Sequence, residues 1–493
     1  DLFAQLIGYI GRISDNDSKK LDKKLYAGTD LIGKTGIEKF YEPLLLGKPG
    51  YQSIETNAYG DIIKKLDTKP PIPGNDIYLS LDYGLQKLTS DLLAGKRGAA
   101  VAIDPSTGEI LAFVSNPSFD PNPFISGISG KEYKALQQDP DMPLYNRALQ
   151  GQYPPGSAIK PVEGLAGIHY GIMGWDTTIY DPGYFSLPGD SHKFRDWKKS
   201  GHGSVNLHKS IVESVDTYYY KLSYQLGIDR LHDWMSRFNF GSKTGIDLPG
   251  EKVGVYPSTE WKMKTYKKAW LPGETISVSI GQGYFLATPL QIANSIAMLA
   301  SDGQHLTPHL LKKSTGAVHV VPIEKPDGKI QYNGNPNDWQ RMHLAMEDVI
   351  KRGTARSIYT PAYRIAGKTG TAQVKSIAQG KRYNEAALDS RHWDHGWFVG
   401  FAPVDNPQIA IAVIIENGRH GGWVAPIVRK MMDYWLLDRT KKPILPPTPD
   451  ALAKINADKD LAKQQRIDAI LSGKPLPSKP NTAALAKIGN AAD

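Results

Sequence analysis

The segment Gln152-Tyr153-Pro154-Pro155-Gly156-Ser157-Ala158-Ile159-Lys160-Pro161 constrains this chain more tightly than any other. Pro154 and Pro155 hold the backbone extended, and Gly156 permits a sharp turn. Pro161 lacks an amide donor, which a helix tolerates only in its first turn. The segment therefore predicts an extended run that stops abruptly at a helix N-terminus. Ser157 and Lys160 lie just under one helical turn apart, so hydroxyl and amine share a face within hydrogen-bond reach. This is the only Ser-x-x-Lys in the 493 residues. A serine hydroxyl is a weak nucleophile until a base takes its proton. Lysine can be that base once its pKa falls from about 10.4 toward neutrality, a change of roughly 3 units or about 4 kcal/mol. The helix N-terminus adds a dipole and free N–H groups that favour a developing anion. On spacing alone, the same tetrad also describes the start of an ordinary solvated helix.

Two further motifs give the tetrad company. Ser210 to Tyr220 contains Ser214-Val215-Asp216, and Tyr363 to Val374 contains Lys368-Thr369-Gly370. Lys-Thr-Gly occurs two more times, at Lys34-Thr35-Gly36 and Lys243-Thr244-Gly245. Both of those lie in Gly-rich, turn-like surroundings, where Gly supplies a positive φ. Only Lys368 follows a strand-like run, Tyr363 to Ala366, and leads into another, Thr371 to Val374. A strand edge is what an extended peptide substrate can pair with.

Ser-x-x-Lys, then Ser-x-Asn or Ser-x-Asp, then Lys-Thr-Gly is the motif order of penicillin-binding proteins and serine β-lactamases. The chain resembles that superfamily, and more narrowly the monofunctional (class B) penicillin-binding protein 2 family of the rod-elongation machinery. The closer match is carried by Pro-Pro-Gly-Ser157-Ala-Ile-Lys160-Pro, Arg195 to Lys199 followed by Gly201-His202-Gly203, and Gly281-Gln282-Gly283-Tyr284 followed by Ala287-Thr288-Pro289. Asp30 to Glu38 fits as well. The resemblance covers the chain to about residue 440.

The resemblance implies an α+β fold: a transpeptidase domain of antiparallel sheet and helices, preceded by part of an N-terminal pedestal. It also implies a peptidoglycan D,D-transpeptidase that β-lactams acylate. Ser157 would attack the D-alanyl-D-alanine end of a stem peptide, Lys160 would accept its proton, and Ser214 would relay a proton to the leaving D-alanine. Lys368 would supply positive charge, with Thr369 and Thr371 offering hydroxyls to the substrate carboxylate and Gly370 allowing close backbone approach. The N–H groups of Ser157 and Thr371 would form the oxyanion hole. Asp216 stands where many relatives carry Asn; its charge would raise the Lys160 pKa unless Lys368 or another cation offsets it. Implied partners are peptidoglycan stem peptides, β-lactams, a SEDS-family (RodA-type) glycosyltransferase and elongation-complex scaffold proteins. The implied location is the periplasmic face of the bacterial inner membrane, through an anchor missing from this chain.

Composition agrees with a globular chain, at 40% hydrophobic and 22% charged residues, and no run approaches the ~20 apolar residues of a membrane span. The absence of cysteine excludes a thiol nucleophile and a disulfide scaffold. The net charge of +9 is diffuse: residues 441–493 carry nine Lys/Arg against five Asp/Glu, and no dense basic block supports nucleic-acid binding. Three regions emerge: 1–70 as a partial pedestal, 71–440 as the transpeptidase domain, and 441–493 as a Pro/Ala/Lys-rich tail with a loose helix over Asp450 to Leu471. Pro70-Pro71-Ile72-Pro73-Gly74 reads as a stiff boundary. Strands are expected at Ile77 to Leu81, Ala99 to Ile103, Glu109 to Val114, Trp397 to Pro403 and Gln408 to Glu416, and a helix at Leu85 to Leu93.

Other readings fit less well. A class A β-lactamase needs a deacylating Glu in a Glu-x-x-Leu-Asn pattern, which does not occur. A bifunctional enzyme needs a glycosyltransferase domain ahead of Ser157, and there is too little chain for one. A non-catalytic scaffold would not require the complete motif set. Asp181, Asp196 and His202 suit zinc by residue type. In some relatives a Cys in the middle of the Ser-x-Asp triplet completes such a site; here Val215 stands there, so the expectation is a hydrogen-bonded loop, with no metal and no cofactor. Tyr218-Tyr219-Tyr220 reads as helix packing. His392 and His395, in the polar stretch 375–396, read as an exposed loop beside the active-site strand.

Overall fold

The computed structural model describes residues 1–316, 328–374 and 389–476. Its centre is a five-stranded antiparallel sheet: β1 Gly98–Ile103, β2 Ile110–Asn116, β3 Ala366–Ala372, β4 His395–Ala402 and β5 Ile409–Ile415, in spatial order β3-β4-β5-β1-β2. β1 and β2 form a hairpin whose turn is closed by the Gly108 N–H to the Asp104 carbonyl (2.9 Å), with the Asp104 side chain accepting the Ser106 N–H (2.8 Å). Val413 of β5 faces Ala100 of β1, and Lys368 of β3 faces Val399 of β4.

β1 and β5 show no polar alternation, and every residue in them is buried. An antiparallel sheet with that pattern needs cover on both faces. The helices used below are α1 Tyr83–Leu93, α2 Lys160–His169, α3 Asp216–Leu226, α4 Pro289–Ala300, α5 Asn337–Lys351, α6 Gly421–Asp433 and α7 Pro449–Ser472. α4 is buried at every position and lies against β5, β1 and β4. It starts with Pro289 in its first turn and a reciprocal Thr288–Gln291 capping box. α1 and α6 pack together and cover the opposite face. α5 packs against β3 and brings the helices around Ser157 and Ser214 onto the sheet edge.

Several expectations shift. Tyr363 to Ile365 is not strand; the Tyr363 hydroxyl donates to Asp433 (2.7 Å), and β3 begins at Ala366. Lys-Thr-Gly therefore sits inside one continuous strand rather than between two. His395 does not belong to an exposed loop: it opens β4, accepts the Asn417 N–H (3.0 Å), and burial lowers its pKa. His392 is exposed in a short turn, and residues 375–388 lie outside the described residues. Pro70 to Gly74 folds back rather than spacing two bodies, with Ile72 pairing with Lys48. The Tyr41 hydroxyl donates to Asp247 (2.7 Å) and ties the N-terminal region to the main body. Within that region, the hairpin Tyr51–Thr56 and Ile62–Lys69 is exposed at every position. The tail helix α7 is docked rather than loose: Arg466 forks onto Asp139 (2.6 and 2.7 Å) and reaches Asp141 (3.0 Å), and Ile467 and Ala469 are buried. Residues 477–493 lie outside the described residues.

Candidate active site

Ser157 lies in a 3-10 turn, Gly156–Ile159, that runs directly into α2. The turn is pinned from several sides. The Gly156 N–H donates to the Gly281 carbonyl (3.0 Å), and the Trp397 indole donates to the Pro154 carbonyl (3.0 Å). Gly156 has φ 56°, and a Cβ there would stand 2.3 Å from the Thr371 carbonyl oxygen. No other residue fits, because the turn and β3 touch through backbone. Ser157 itself is half-buried, while Lys160 is fully buried at the first position of α2, followed by Pro161 as the spacing predicts.

Lys160 is not bonded to Ser157, as the tetrad alone suggests. Its Nζ donates to the Ser214 carbonyl (2.9 Å) and to Asp216 Oδ1 (2.6 Å). The Lys368 Nζ donates to the Ser214 hydroxyl (2.8 Å) and to the Thr369 carbonyl (3.0 Å). Ser214 thus bridges both lysines, through its carbonyl to one and its hydroxyl to the other. It does so with φ 57°, a left-handed conformation that costs a non-glycine residue about 1–3 kcal/mol and survives where the surroundings over-determine it. Lys368 is fully buried. Burial, and after it the charge of Lys160, push its amine well below the usual lysine range, while Asp216 pulls the other way. The charge that Lys368 was expected to supply is therefore costly to keep in this surrounding. A carboxylate arriving beside Thr369 and Thr371 would act in the same sense as Asp216.

Among the described residues β3 is the edge strand, paired with β4 alone. The Thr371 carbonyl accepts the Gln282 side-chain amide (3.2 Å), so it points away from β4. In an antiparallel strand the N–H and C=O of one residue point the same way. The Thr371 N–H therefore also faces the open edge, beside the Ser157 turn. The Thr369 hydroxyl lies 2.7 Å from that of Thr354. At Gly370 a Cβ would meet the Pro155 carbonyl at 2.9 Å and the Ala158 nitrogen at 3.1 Å, so its lack of a side chain lets the strand and the nucleophile turn close. The structure brings together Ser157, Lys160, Ser214, Asp216, Lys368, Thr369, Gly370 and Thr371.

Neither of the other two Lys-Thr-Gly copies lies in a strand: Thr35 and Gly36 open a short helix, Gly36–Phe40, and Lys243 to Gly245 lie in a loop. Gly36 and Gly245 have φ of 61° and 86°. Thr244 turns its N–H and hydroxyl onto Glu251 (2.7 and 2.6 Å), and Lys243 is exposed. Tyr218, Tyr219 and Tyr220 are buried on α3, as packing requires.

Asp181, Asp196 and His202 also converge, with ligand-type atoms within 4.8 Å of one another. Those atoms are already committed. Asp181 accepts the Gly183 and His202 N–H groups (2.7 and 2.8 Å). Asp196 accepts the N–H groups of Lys198 (3.0 Å), Asp216 (2.7 Å) and Thr217 (3.2 Å). His202 faces Asp196 through Nε2 (3.1 Å) and Glu213 through Nδ1 (2.6 Å). Val215 is fully buried, and its hydrocarbon side chain offers no ligand atom. The donor set does not fit a four-coordinate structural zinc.

Sequence reading missed four residues at this site: Glu213, Thr354, Gln282 and Glu163. Glu213 and Thr354 are set by tertiary contact, and nothing local marks them; Gln282 stood in the Gly281-Gln282-Gly283-Tyr284 match with no role attached. Glu163 was visible as a carboxyl one helical turn beyond Lys160. It is fully buried, neither carboxyl oxygen has a hydrogen-bond partner among the described residues, and burial pushes its pKa well up.

An antiparallel sheet with helices on both faces, a serine turn against its edge strand, and a second serine between two buried lysines define the active-serine class of penicillin-binding proteins and serine β-lactamases. Residues 98–433 match the family described as "Penicillin binding protein transpeptidase domain", and residues 1–79 match "Penicillin-binding Protein dimerisation domain". The chain belongs to the penicillin-binding protein transpeptidase family. It is 62% identical over 446 residues to the peptidoglycan D,D-transpeptidase MrdA of Acinetobacter baumannii, covering 90% of this chain and 66% of that relative. It thus spans slightly under two thirds of that relative's length. Among solved structures, Pseudomonas aeruginosa PBP2 in complex with WCK 5153 superposes with a TM-score of 0.79 at 46% identity, covering 91% of this chain and 92% of that one. A complex between PBP2 and MreC from Helicobacter pylori gives 0.78 at 36% identity, covering 88% and 78%. No helix among the described residues is long and apolar enough to cross a membrane.

Proposed function

We propose that this chain is a serine peptidoglycan D,D-transpeptidase, acting during cell-wall elongation and acylated by β-lactams. The observation that carries the reading is Ser214 held between Lys160 and Lys368 at 2.9 and 2.8 Å, beside the Ser157 turn. Ser157 Oγ attacks the carbonyl of the penultimate D-alanine, and its proton passes to Lys160. For that step the Lys160 amine must be neutral, and its Nζ is held in place by Asp216 Oδ1 at 2.6 Å. The oxyanion forms at the N–H groups of Ser157 and Thr371, each worth roughly 3–4 kcal/mol. The C–N bond then breaks, and the departing D-alanine amine receives its proton through Ser214. Thr369 and Thr371 hold the terminal carboxylate, with Lys368 behind them. An acceptor amine finally attacks the ester, forms the cross-link and returns the proton to Ser157. In a β-lactam the broken C–N bond lies in the ring, so the amine stays tethered and the acyl-enzyme persists.

The division at about residues 70 and 440 belongs to the same reading. So do a periplasmic location at the inner membrane, a SEDS-family (RodA-type) glycosyltransferase partner and scaffold partners. The Helicobacter pylori complex supports a scaffold of the MreC kind. A fluorescent penicillin tests the chemistry: one slowly released covalent label per chain is expected, absent in Ser157→Ala. Rapid release of hydrolysed drug would indicate a β-lactamase instead, and no label on folded protein would indicate a scaffold.

A further inference from the structure

We propose that Asp196, His202 and Glu213 are positioning residues: a hydrogen-bonded clasp that holds the Ser214–Asp216 corner in its catalytic shape without a metal. The proposal rests on the acyl-enzyme reading of Ser157.

The corner has a reason to need holding. Ser214 sits at φ 57° and must present its carbonyl to Lys160 and its hydroxyl to Lys368 at once. Local backbone bonds supply part of the restraint, from the Ser214 N–H to the Ile211 carbonyl (3.3 Å) and from the Val215 N–H to the Ser210 carbonyl (3.0 Å). The next two amides, Asp216 and Thr217, open α3 and have no partner within that helix. Both donate to one oxygen of Asp196, at 2.7 and 3.2 Å. Asp196 thus caps α3 from a distant point in sequence and fixes the residue whose carboxylate meets Lys160.

Asp196 is fixed in turn. Its other oxygen faces His202 Nε2 (3.1 Å), and His202 Nδ1 faces Glu213 (2.6 Å) in the residue before Ser214. The loop therefore closes on itself: Glu213, His202, Asp196, Asp216, with Ser214 and Val215 inside the ring. The His202 backbone is seated by Asp181 (2.8 Å) and by Lys209, whose Nζ donates to the His202 carbonyl (2.7 Å). Trp197 covers the imidazole edge-on at 5.3 Å, and its indole donates to the Glu213 carbonyl (3.1 Å). A displacement of about 1 Å at a reacting group can cost on the order of 100-fold in rate.

The test combines metal analysis with acylation kinetics on the whole chain. Purified protein is expected to carry far less than one zinc per chain, and EDTA is expected to change neither acylation nor melting. His202→Ala should lower the maximal rate of Ser157 acylation by about 10- to 100-fold while leaving the penicillin concentration for half-maximal rate unchanged. His202→Gln, which keeps an N–H for Asp196, should recover most of that loss. Stoichiometric zinc whose removal slows acylation would overturn the proposal. Variants that melt lower yet acylate at the wild-type maximal rate would overturn it too. If wild-type protein is not acylated at Ser157, the reading beneath the proposal fails instead.

Discussion

Lys243-Thr244-Gly245 and Lys368-Thr369-Gly370 are the same tripeptide in two settings. In the first, Gly245 turns left-handed, Lys243 points to solvent, and Thr244 is consumed by Glu251. In the second, the backbone is extended, Lys368 is fully buried against Ser214, and the Thr369 and Thr371 side chains remain partly exposed at a sheet edge. Chemistry does not reside in the three residue types. It resides in a strand edge whose outer backbone groups lie outside the β-ladder, and in burial that makes an ammonium group costly.

Substitution separates the two copies most sharply at the lysine. Lys368→Ala should slow acylation roughly 100- to 1,000-fold, the scale of losing one electrostatic donor at an acyl-transfer centre. Lys243→Ala should leave it unchanged. Second-order acylation rates check this, and equal effects would break the distinction. The glycines should divide the same way in acylation. Gly370→Ala presses on the Pro155 carbonyl and displaces the Ser157 turn, so acylation should fall about 10- to 100-fold, with a stability loss of about 1–3 kcal/mol from overpacking. Gly245→Ala keeps acylation intact but should lose about 1–2 kcal/mol of stability, because φ is 86° there.

Burial of Lys368 also sets a pH dependence. Its folded pKa is lowered, so between that value and the unfolded value of about 10.4 the unfolded chain binds the extra proton. Stability should therefore fall as pH drops through that window, and Lys368→Met should flatten the slope in denaturant titrations. Lys160 on α2 and Asp216 on α3 are the charges that face it, and they act in opposite senses. The smallest effect lies one turn beyond Lys160. Glu163→Leu replaces an unpartnered buried carboxyl with hydrocarbon and should raise stability by about 1–3 kcal/mol, read from chemical denaturation, with acylation maintained.

The sheet was legible because β1, β2, β4 and β5 are short, β-branched or Ala-rich runs bounded by turn residues such as Asp104 to Gly108 and Val404 to Pro407. The nucleophile turn was legible because Pro, Pro, Gly and Pro161 restrict the backbone locally. What lay outside sequence reach was long-range. Lys160 spends its hydrogen bonds on Ser214 and Asp216, some 55 residues away, rather than on its neighbour Ser157. Glu213 and Gln282 acquire their roles only when separate segments meet. Tyr363 looks like a strand residue by type, but its hydroxyl is claimed by Asp433 on α6.

Mass spectrometry of the protein after reaction with a β-lactam tests the central assignment most directly. One intact adduct per chain, on the peptide containing Ser157, is the expected result. An adduct on any other residue, or none on folded protein, would contradict it.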